Sequence, residues 1–188
     1  MYQKYYTEAF ILGSREQGEN DRIFVLYTKD FGLVRARASA VRKETSRMRY
    51  ALQSYSYVQV ALVRGKRGWR AGGAMVVRSA HGEGVTTFAR IARLVLRLAT
   101  EEGENGYIFA ALSGAHEALM REPRDAWATI ELVCVARLLW GLGYLSSEAL
   151  ETTLFTHTLY SSEHVREAEK LHKKLLSSIN RAISETHL

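Results

Sequence analysis

A short basic run at residues 42–49 carries the clearest chemistry in this sequence. The run reads RKETSRMR and holds four cations, Arg42, Lys43, Arg47 and Arg49, against a single glutamate. Like charges packed this closely repel one another unless an anionic partner neutralises them. The run therefore predicts a surface that binds a polyanion.

Two further arginines precede the run on one face of a predicted strand. Period-two alternation places Arg35 and Arg37 on one face and small apolar residues, ending at Ala40, on the other. We expect the two arginines to continue into residues 42–49 as one stripe that binds nucleic-acid phosphates and releases counterions. A basic strand face that is merely solvated is the alternative.

A glycine-flanked loop and several aromatic residues add to this candidate site. The loop Arg64-Gly65-Lys66-Arg67-Gly68 joins two predicted strands, and its glycines allow close approach to a ligand, although any hairpin tip uses such residues. Tyr55 and Tyr57 are predicted to share a strand face, where exposed rings would stack on bases. Packing against the helical part of the chain is the alternative, and Trp69 has the same two interpretations. The predicted nucleic-acid contacts are Arg22, Arg35, Arg37, Arg42, Lys43, Arg47, Arg49, Arg64, Lys66, Arg67 and Arg70, with Tyr55 and Tyr57 as the base-stacking candidates.

Residue patterns typical of enzymes are scarce. The sequence contains neither a GxxxxGK phosphate loop nor a GxGxxG motif. Its one Glu-x-x-His, from Glu169 to His172, lacks the second copy and the extra carboxylates of a di-iron site. Cys134 lies in an apolar helical stretch, so we expect a buried structural thiol. We predict no catalytic residue, no metal and no cofactor, and a protein that is not an enzyme.

The charge is distributed unevenly along the 188 residues. The net charge is +6, but residues 1–80 hold 15 Lys and Arg against 6 Asp and Glu, whereas the remainder holds 11 against 14. Such asymmetry predicts a module that faces nucleic acid joined to a nearly neutral one. The single cysteine, the N-terminus without an apolar h-region and the lack of a long apolar run lead us to expect a cytoplasmic protein with no membrane partner.

The periodicity predicts an α+β organisation with a boundary near residue 80. Period-two patterns indicate five strands, at residues 6–14, 21–28, 32–41, 53–64 and 68–79, and residues 42–52 could hold a helical turn. That order is typical of the OB-fold, a five-stranded barrel that binds oligonucleotides. Helical spacing follows at residues 86–101, 106–121, 125–142 and 162–186, and Pro123 is placed to start the helix at 125–142. Residues 144–161 are ambiguous. We expect an OB-fold nucleic-acid-binding domain at 1–80 and a helical bundle domain at 81–188.

Several motifs resemble those of the bacterial recombination mediator family RecO. The N-terminal matches are Gly18-Glu19-x-Asp21-Arg22-Ile23, the Thr28–Leu33 turn and the Ser46-Arg47-x-Arg49 segment before Ala51-Leu52-Gln53. In the helical part, Leu138-Leu139-Trp140-Gly141-Leu142-Gly143-Tyr144-Leu145 is similar to a family motif. The resemblance implies an OB-fold followed by helices, and a mediator rather than an enzyme. It also implies binding of single- and double-stranded DNA and annealing of complementary strands.

The resemblance also implies partners and two departures from the family. The implied partners are RecR, the acidic tail of single-strand-binding protein, and DNA coated by that protein, onto which the RecA recombinase is loaded. One cysteine cannot supply the four-cysteine zinc module of many members, so we expect a short member without zinc. The sequence has Ser146-Ser147 where the family motif continues with proline. An OB-fold that binds RNA and an adaptor that docks an acidic peptide tail remain the alternatives.

Overall fold

The computed structural model describes residues 3–99, 103–146 and 152–185, with the backbone alone at residues 162 and 163. Within these ranges the chain divides into two compact units. One contains the described residues up to 80 together with 99 and 103–105, and the other contains residues 81–98 and those from 106 onward. The first unit holds all the strands, and the second consists of helices and their connections.

Five strands form a closed barrel in the first unit. They adjoin in the order β1-β2-β3-β5-β4, with β4 paired to β1, and every pairing is antiparallel except that of β3 with β5. A four-residue helix, α1 (Met48–Ala51), lies between β3 and β4 along the chain. This arrangement confirms the predicted OB-fold barrel. The strands are β1 (Lys4–Gln17), β2 (Asp21–Thr28), β3 (Gly32–Ala38), β4 (Tyr57–Gly65) and β5 (Gly68–Arg78).

The alternation predicted for β3 is confirmed. Ala36 and Ala38 are fully buried in the barrel core, whereas Arg35 and Arg37 are exposed on the outer wall. Successive side chains of a strand point to opposite faces, so small residues can fill the interior while every second position reaches solvent. The inward side chains of β3 pack with those of the other strands, including Leu26 and Trp69.

β1 is longer than predicted, and two other strands end or begin elsewhere than the alternation predicts because of a left-handed residue. β3 ends at Ala38 because Ala40 has a φ of +53° and turns the chain, so Ala40 does not continue the core face. β4 begins at Tyr57 rather than at residue 53, because Tyr55 has a φ of +66°. Residues other than glycine adopt the left-handed conformation at a cost in free energy, so Ala40 and Tyr55 both need hydrogen bonds that offset it. The Tyr55 N–H donates to the carbonyl of Ile11 at 2.7 Å.

The helices of the second unit follow the predicted order with shifted ends. Pro123 precedes a 3₁₀ turn at Arg124–Ala126, as its fixed φ favours. The last segment, predicted as one helix over 162–186, is two helices with a break at Leu171. The helices are α2 (Gly84–Leu98), α3 (Gly106–Arg121), α4 (Trp127–Gly141), α5 (Ser162–Lys170) and α6 (His172–Glu185). None of the described helices is long and apolar enough to cross a membrane.

The connection between α4 and α5 is held by one buried arginine. Residues 152–161 form no helix or strand, and residues 147–151 of the ambiguous stretch lie outside the described part. Arg137 is fully buried and donates to the carbonyls of Leu154 and Thr158 at 2.8 and 3.0 Å, and its guanidinium lies 4.7 Å from the ring centroid of Tyr160. Carbonyl acceptors satisfy this buried charge, so Arg137 fixes a segment that periodicity could not assign.

The turn between β2 and β3 requires a glycine for two reasons, which a pair of variants separates. Gly32 has a φ of +62°, and a Cβ there would clash with the backbone of Gly103. Gly18 has nearly the same φ, +63°, with nothing within 4 Å of the Cβ position. Gly18→Ala should lower the unfolding free energy by about 1 kcal/mol, because alanine adopts the left-handed conformation less readily than glycine. Gly32→Ala should lose clearly more.

Urea unfolding followed by circular dichroism measures both losses. Equal losses for the two variants would mean that residues 103–105 do not pack against the β2–β3 turn. A larger loss for Gly32→Ala alone would confirm that they do.

Candidate nucleic-acid interface

Three arginines from three strands lie in one row across the outer wall of the barrel. Arg15 pairs with Ile23 of β2, Ile23 pairs with Arg37 of β3, and Arg37 pairs with Arg70 of β5. Paired residues of neighbouring strands project to the same face of a sheet. The register therefore brings Arg15, Arg37 and Arg70 to one surface, although they are far apart in sequence.

This row forms the floor of a broad groove of about 750 Å³ on the outer wall, which we call the barrel groove. None of the residues that line it is acidic. Closely spaced guanidinium and ammonium groups facing a common cavity favour a polyanionic ligand. The cations of the barrel groove are Arg15, Arg35, Arg37, Lys66, Arg67 and Arg70, with Gln17, Ile23, Ser39, Gly65, Gly68 and Trp69 between them.

The β4–β5 hairpin places two of these cations at its tip. Gly65 pairs with Gly68, so Lys66 and Arg67 form a two-residue turn. Gly68 has a φ of +97°, which a residue with a side chain rarely adopts. Lys66 and Arg67 do not themselves have positive φ values, so the left-handed residue of this hairpin is Gly68, which directly follows the two cations.

Asp21 orients the central arginine of the row. Its Oδ2 accepts from Nε and Nη2 of Arg37 at 2.8 and 2.5 Å, and its Oδ1 accepts from the backbone N–H of Ala40 at 2.7 Å. The Ala40 bond, followed by the bonds from Arg37, holds the pKa of the Asp21 carboxyl below its usual value. One carboxylate thus stabilises the left-handed corner after β3 and fixes the direction of Arg37.

The expected continuous stripe from β3 into residues 42–49 is wrong. The chain turns at Ala40, and the cations of the run do not extend the outer face of β3. Arg42 and Arg49 line a separate cavity of about 220 Å³ together with Arg22, which we call the mouth pocket. Lys43 and Arg47 are exposed and line neither cavity, and neither does Arg64, whose guanidinium lies 5.0 Å from the ring centroid of Trp69.

The mouth pocket is partly neutralised by one glutamate. Glu16 Oε1 lies 3.4 Å from Nη2 of Arg22, and its Oε2 lies 3.2 Å from Nη1 of Arg42. Arg42 also donates to the carbonyl of Gly18 at 3.4 Å. The Nε of Arg22 is buried and has no hydrogen-bond partner among the described residues. The walls are the apolar side chains of Phe24, Val41 and Leu52, with Gln53 beside them.

The aromatic candidates for base stacking are mostly buried. Tyr57 is 9% exposed, donates to Oε1 of Glu8 at 2.8 Å and stacks on Phe10 with ring centroids 4.8 Å apart. Burial, and then the Glu8 bond, raises the pKa of Tyr57 to about 12. Of the two interpretations, Tyr57 does not offer the exposed ring that base stacking needs, because the residue lies between β1 and β5 in the barrel wall. Tyr55 is half-buried and precedes the strand, so the two tyrosines do not share a strand face.

Trp69 belongs to the barrel core although one edge lines the groove. It is 8% exposed, and its ring centroid lies 5.1 Å from that of Phe31 and 5.6 Å from that of Tyr5. Exposed tyrosines occur elsewhere on the barrel, at Tyr6 and at Tyr50, whose ring lies 5.3 Å from the guanidinium carbon of Arg49. No sequence pattern marks these two residues, because neither belongs to an alternating pattern of aromatics.

The cysteine and the possible metal ligands considered from the sequence form no reactive or metal-binding site among the described residues. Cys134 is a buried free thiol, as expected, and burial raises its pKa to about 12, which keeps it neutral. Among the described residues no group of three or more His, Cys, Asp and Glu side chains could hold a metal ion.

Comparison with known proteins finds related sequences of one kind. A family model described as "Recombination protein O N terminal" matches residues 1–70, which span β1 to the start of β5. A DNA repair protein RecO of Dehalococcoides mccartyi is 30% identical over 179 residues, 93% of this chain and 63% of that protein. Residues 1–70 thus match the N-terminal domain of the RecO family, and the chain is similar to RecO proteins over most of its length.

Further RecO proteins match shorter stretches. That of Heliobacterium modesticaldum is 35% identical over 146 residues, 74% of this chain and 52% of that protein. That of Desulfitobacterium hafniense is 39% identical over 62 residues, 33% of this chain and 23% of that protein. The chain thus spans between about a quarter and two thirds of the length of these RecO relatives.

The role of Asp21 predicts a pH-dependent contribution to stability. A carboxyl whose pKa is depressed in the folded protein stabilises it above the pKa of the unfolded chain, about 3.9, and loses that contribution as the pH falls through the folded value. Asp21→Ala should therefore lower the unfolding free energy at pH 7, and the difference from wild type should shrink below about pH 3.9. Urea titrations at several pH values measure it.

Asp30→Ala is the matched control, because Asp30 is an exposed carboxylate in the β2–β3 turn. Asp30→Ala should change the unfolding free energy little at any of these pH values. A deficit of Asp21→Ala that stayed constant down to pH 2 would contradict the assigned role of the carboxylate.

Proposed function

We propose that this chain is a DNA-binding recombination mediator that acts in recombinational DNA repair and holds DNA in the barrel groove. The observation that carries the proposal is the groove itself, with six cations and no acidic residue among those that line it. Three of these cations are aligned by strand register, and two lie at the tip of the β4–β5 hairpin. Asp21 already orients Arg37, so this cation binds a phosphate at a smaller ordering cost than a free arginine side chain.

The composition of the groove favours contacts to the phosphate backbone over contacts to bases. Guanidinium groups bind phosphate oxygens through two donors at once, and such contacts carry no sequence information. The single aromatic residue that lines the groove, Trp69, is mostly buried. Single- and double-stranded DNA both offer rows of phosphates, so the groove is suited to both.

The remaining part of the proposal rests on the similarity to RecO proteins. The relatives are DNA repair proteins by name, and the RecO resemblance adds annealing of complementary strands, contact with RecR and with single-strand-binding protein, and assistance in loading the RecA recombinase. These steps require binding and positioning rather than bond cleavage, so the proposed protein is a mediator and not an enzyme. Its action on chromosomal DNA would place it in the cytoplasm, at the nucleoid.

Removal of two groove cations tests the binding site. The double variant Arg15→Gln with Arg70→Gln should bind an oligothymidine more weakly, because two phosphate contacts are lost. Each contact with a single strand contributes roughly 0.7 to the log–log slope of affinity against salt, so the slope should fall by about 1.4. Fluorescence anisotropy at several salt concentrations measures both the affinity and the slope, and annealing of complementary oligonucleotides should slow in parallel.

A matched control removes the same charge from the helical unit. Arg93 and Arg97 are exposed on α2, and Arg93→Gln with Arg97→Gln leaves the barrel unchanged. If both double variants weakened binding equally, net charge rather than the groove would be responsible. A matched RNA strand that bound much more tightly than DNA would favour the alternative function of an RNA-binding OB-fold.

A further inference from the structure

The mouth pocket and the barrel groove lie on opposite faces of the same pair of strands. Ile23 and Arg37 are paired and line the groove, whereas the neighbouring residues Arg22 and Phe24 line the pocket. Alternation along β2 sends Ile23 to the outer wall and Phe24, which is 2% exposed, into the barrel core. The pocket therefore opens at the end of the barrel interior, while the groove runs over its outside.

The pocket has the chemistry of a site for a single phosphate group. Arg22, Arg42 and Arg49 contribute three guanidinium groups, and Glu16 is the one carboxylate that contacts them among the described residues. The Nε of Arg22 is buried without a hydrogen-bond partner, which costs free energy until an acceptor enters. A phosphate could accept from this Nε and from Arg42, and displace Glu16 from between the two arginines.

We propose that the mouth pocket binds a backbone phosphate of a second nucleic acid strand while the barrel groove holds the first. The β2–β3 pair separates the two sites, so the pocket is not a continuation of the groove along the outer wall. One molecule would then hold two strands side by side. This inference rests on the proposed function, since it takes the groove as the first site.

Simultaneous binding of two strands tests the proposal. The wild-type protein is first saturated with a donor-labelled oligothymidine, and an acceptor-labelled oligothymidine, which cannot pair with the first, is then titrated in. Energy transfer should rise as the second strand binds, and sedimentation should give two strands for each protein chain. Arg42→Gln with Arg49→Gln should abolish the energy transfer and change the affinity for the first strand less than twofold.

The control variant lies in the same short run. Lys43→Gln with Arg47→Gln removes the same charge from residues 42–49, but neither residue lines the pocket or the groove. It should keep most of the energy transfer. Glu16→Gln supplies a change in the opposite direction, because it frees Arg22 and Arg42 and should tighten binding of the second strand severalfold. Thermal melting of each variant shows whether it is folded.

The outcomes separate the two proposals. Failure of the wild-type protein to bind even the first strand would contradict the proposed function. Three results would overturn the second site and leave the groove in place. These are binding of a single strand for each protein chain, binding of two strands for every protein dimer, and an equal loss of energy transfer in both double variants. Weaker binding of the second strand by Glu16→Gln that remains folded would also overturn it.

Discussion

The barrel closes through two parallel residue pairs of β3 and β5, Ala36 with Trp69 and Arg37 with Arg70, and the rest of the site depends on them. The first pair points inward, where a small residue makes room for a large one. The second points outward and places two arginines side by side, although like charges in paired positions destabilise a sheet. The burial of Trp69 offsets that repulsion, and Asp21 relieves it at Arg37. A phosphate would relieve it further, so the same pairing that closes the fold creates a surface that favours an anion.

Alternation along the sequence predicts which side chains of one strand face the core. It does not predict which residues of neighbouring strands lie side by side. The inward alanines and outward arginines of β3, the five-strand order and the tight β4–β5 hairpin follow from spacing and glycine positions. Arg15 was missed because β1 extends past residue 14, and only its pairing with Ile23 brings it to the groove. A continued alternation through Arg15 and Gln17 was the available signal.

The errors in the predicted site have a common cause, which is backbone geometry at single residues. Left-handed conformations at Ala40 and Tyr55 end β3 early and start β4 late. The first turns the chain so that Arg42 and Arg49 line the mouth pocket, and the second takes Tyr55 out of β4. Tyr57 lies in the wall through its pairing with Phe10, with its hydroxyl bonded to Glu8. In the helical unit, likewise, the periodicity predicts that the helices exist. The break at Leu171 and the segment held by Arg137 depend instead on tertiary contacts. Such features cannot be read from a pattern of polar and apolar residues.

The central claim is that the cations of the outer barrel wall contact the DNA backbone. Nuclear magnetic resonance of the arginine Nε–Hε groups during titration with an oligothymidine tests it most directly, because each guanidinium reports on its own environment. We expect large shifts for Arg15, Arg37 and Arg70 and small ones for Arg93, Arg97 and Arg166, which lie on helices of the second unit. Large shifts confined to the helical arginines, with the groove signals unchanged, would contradict it.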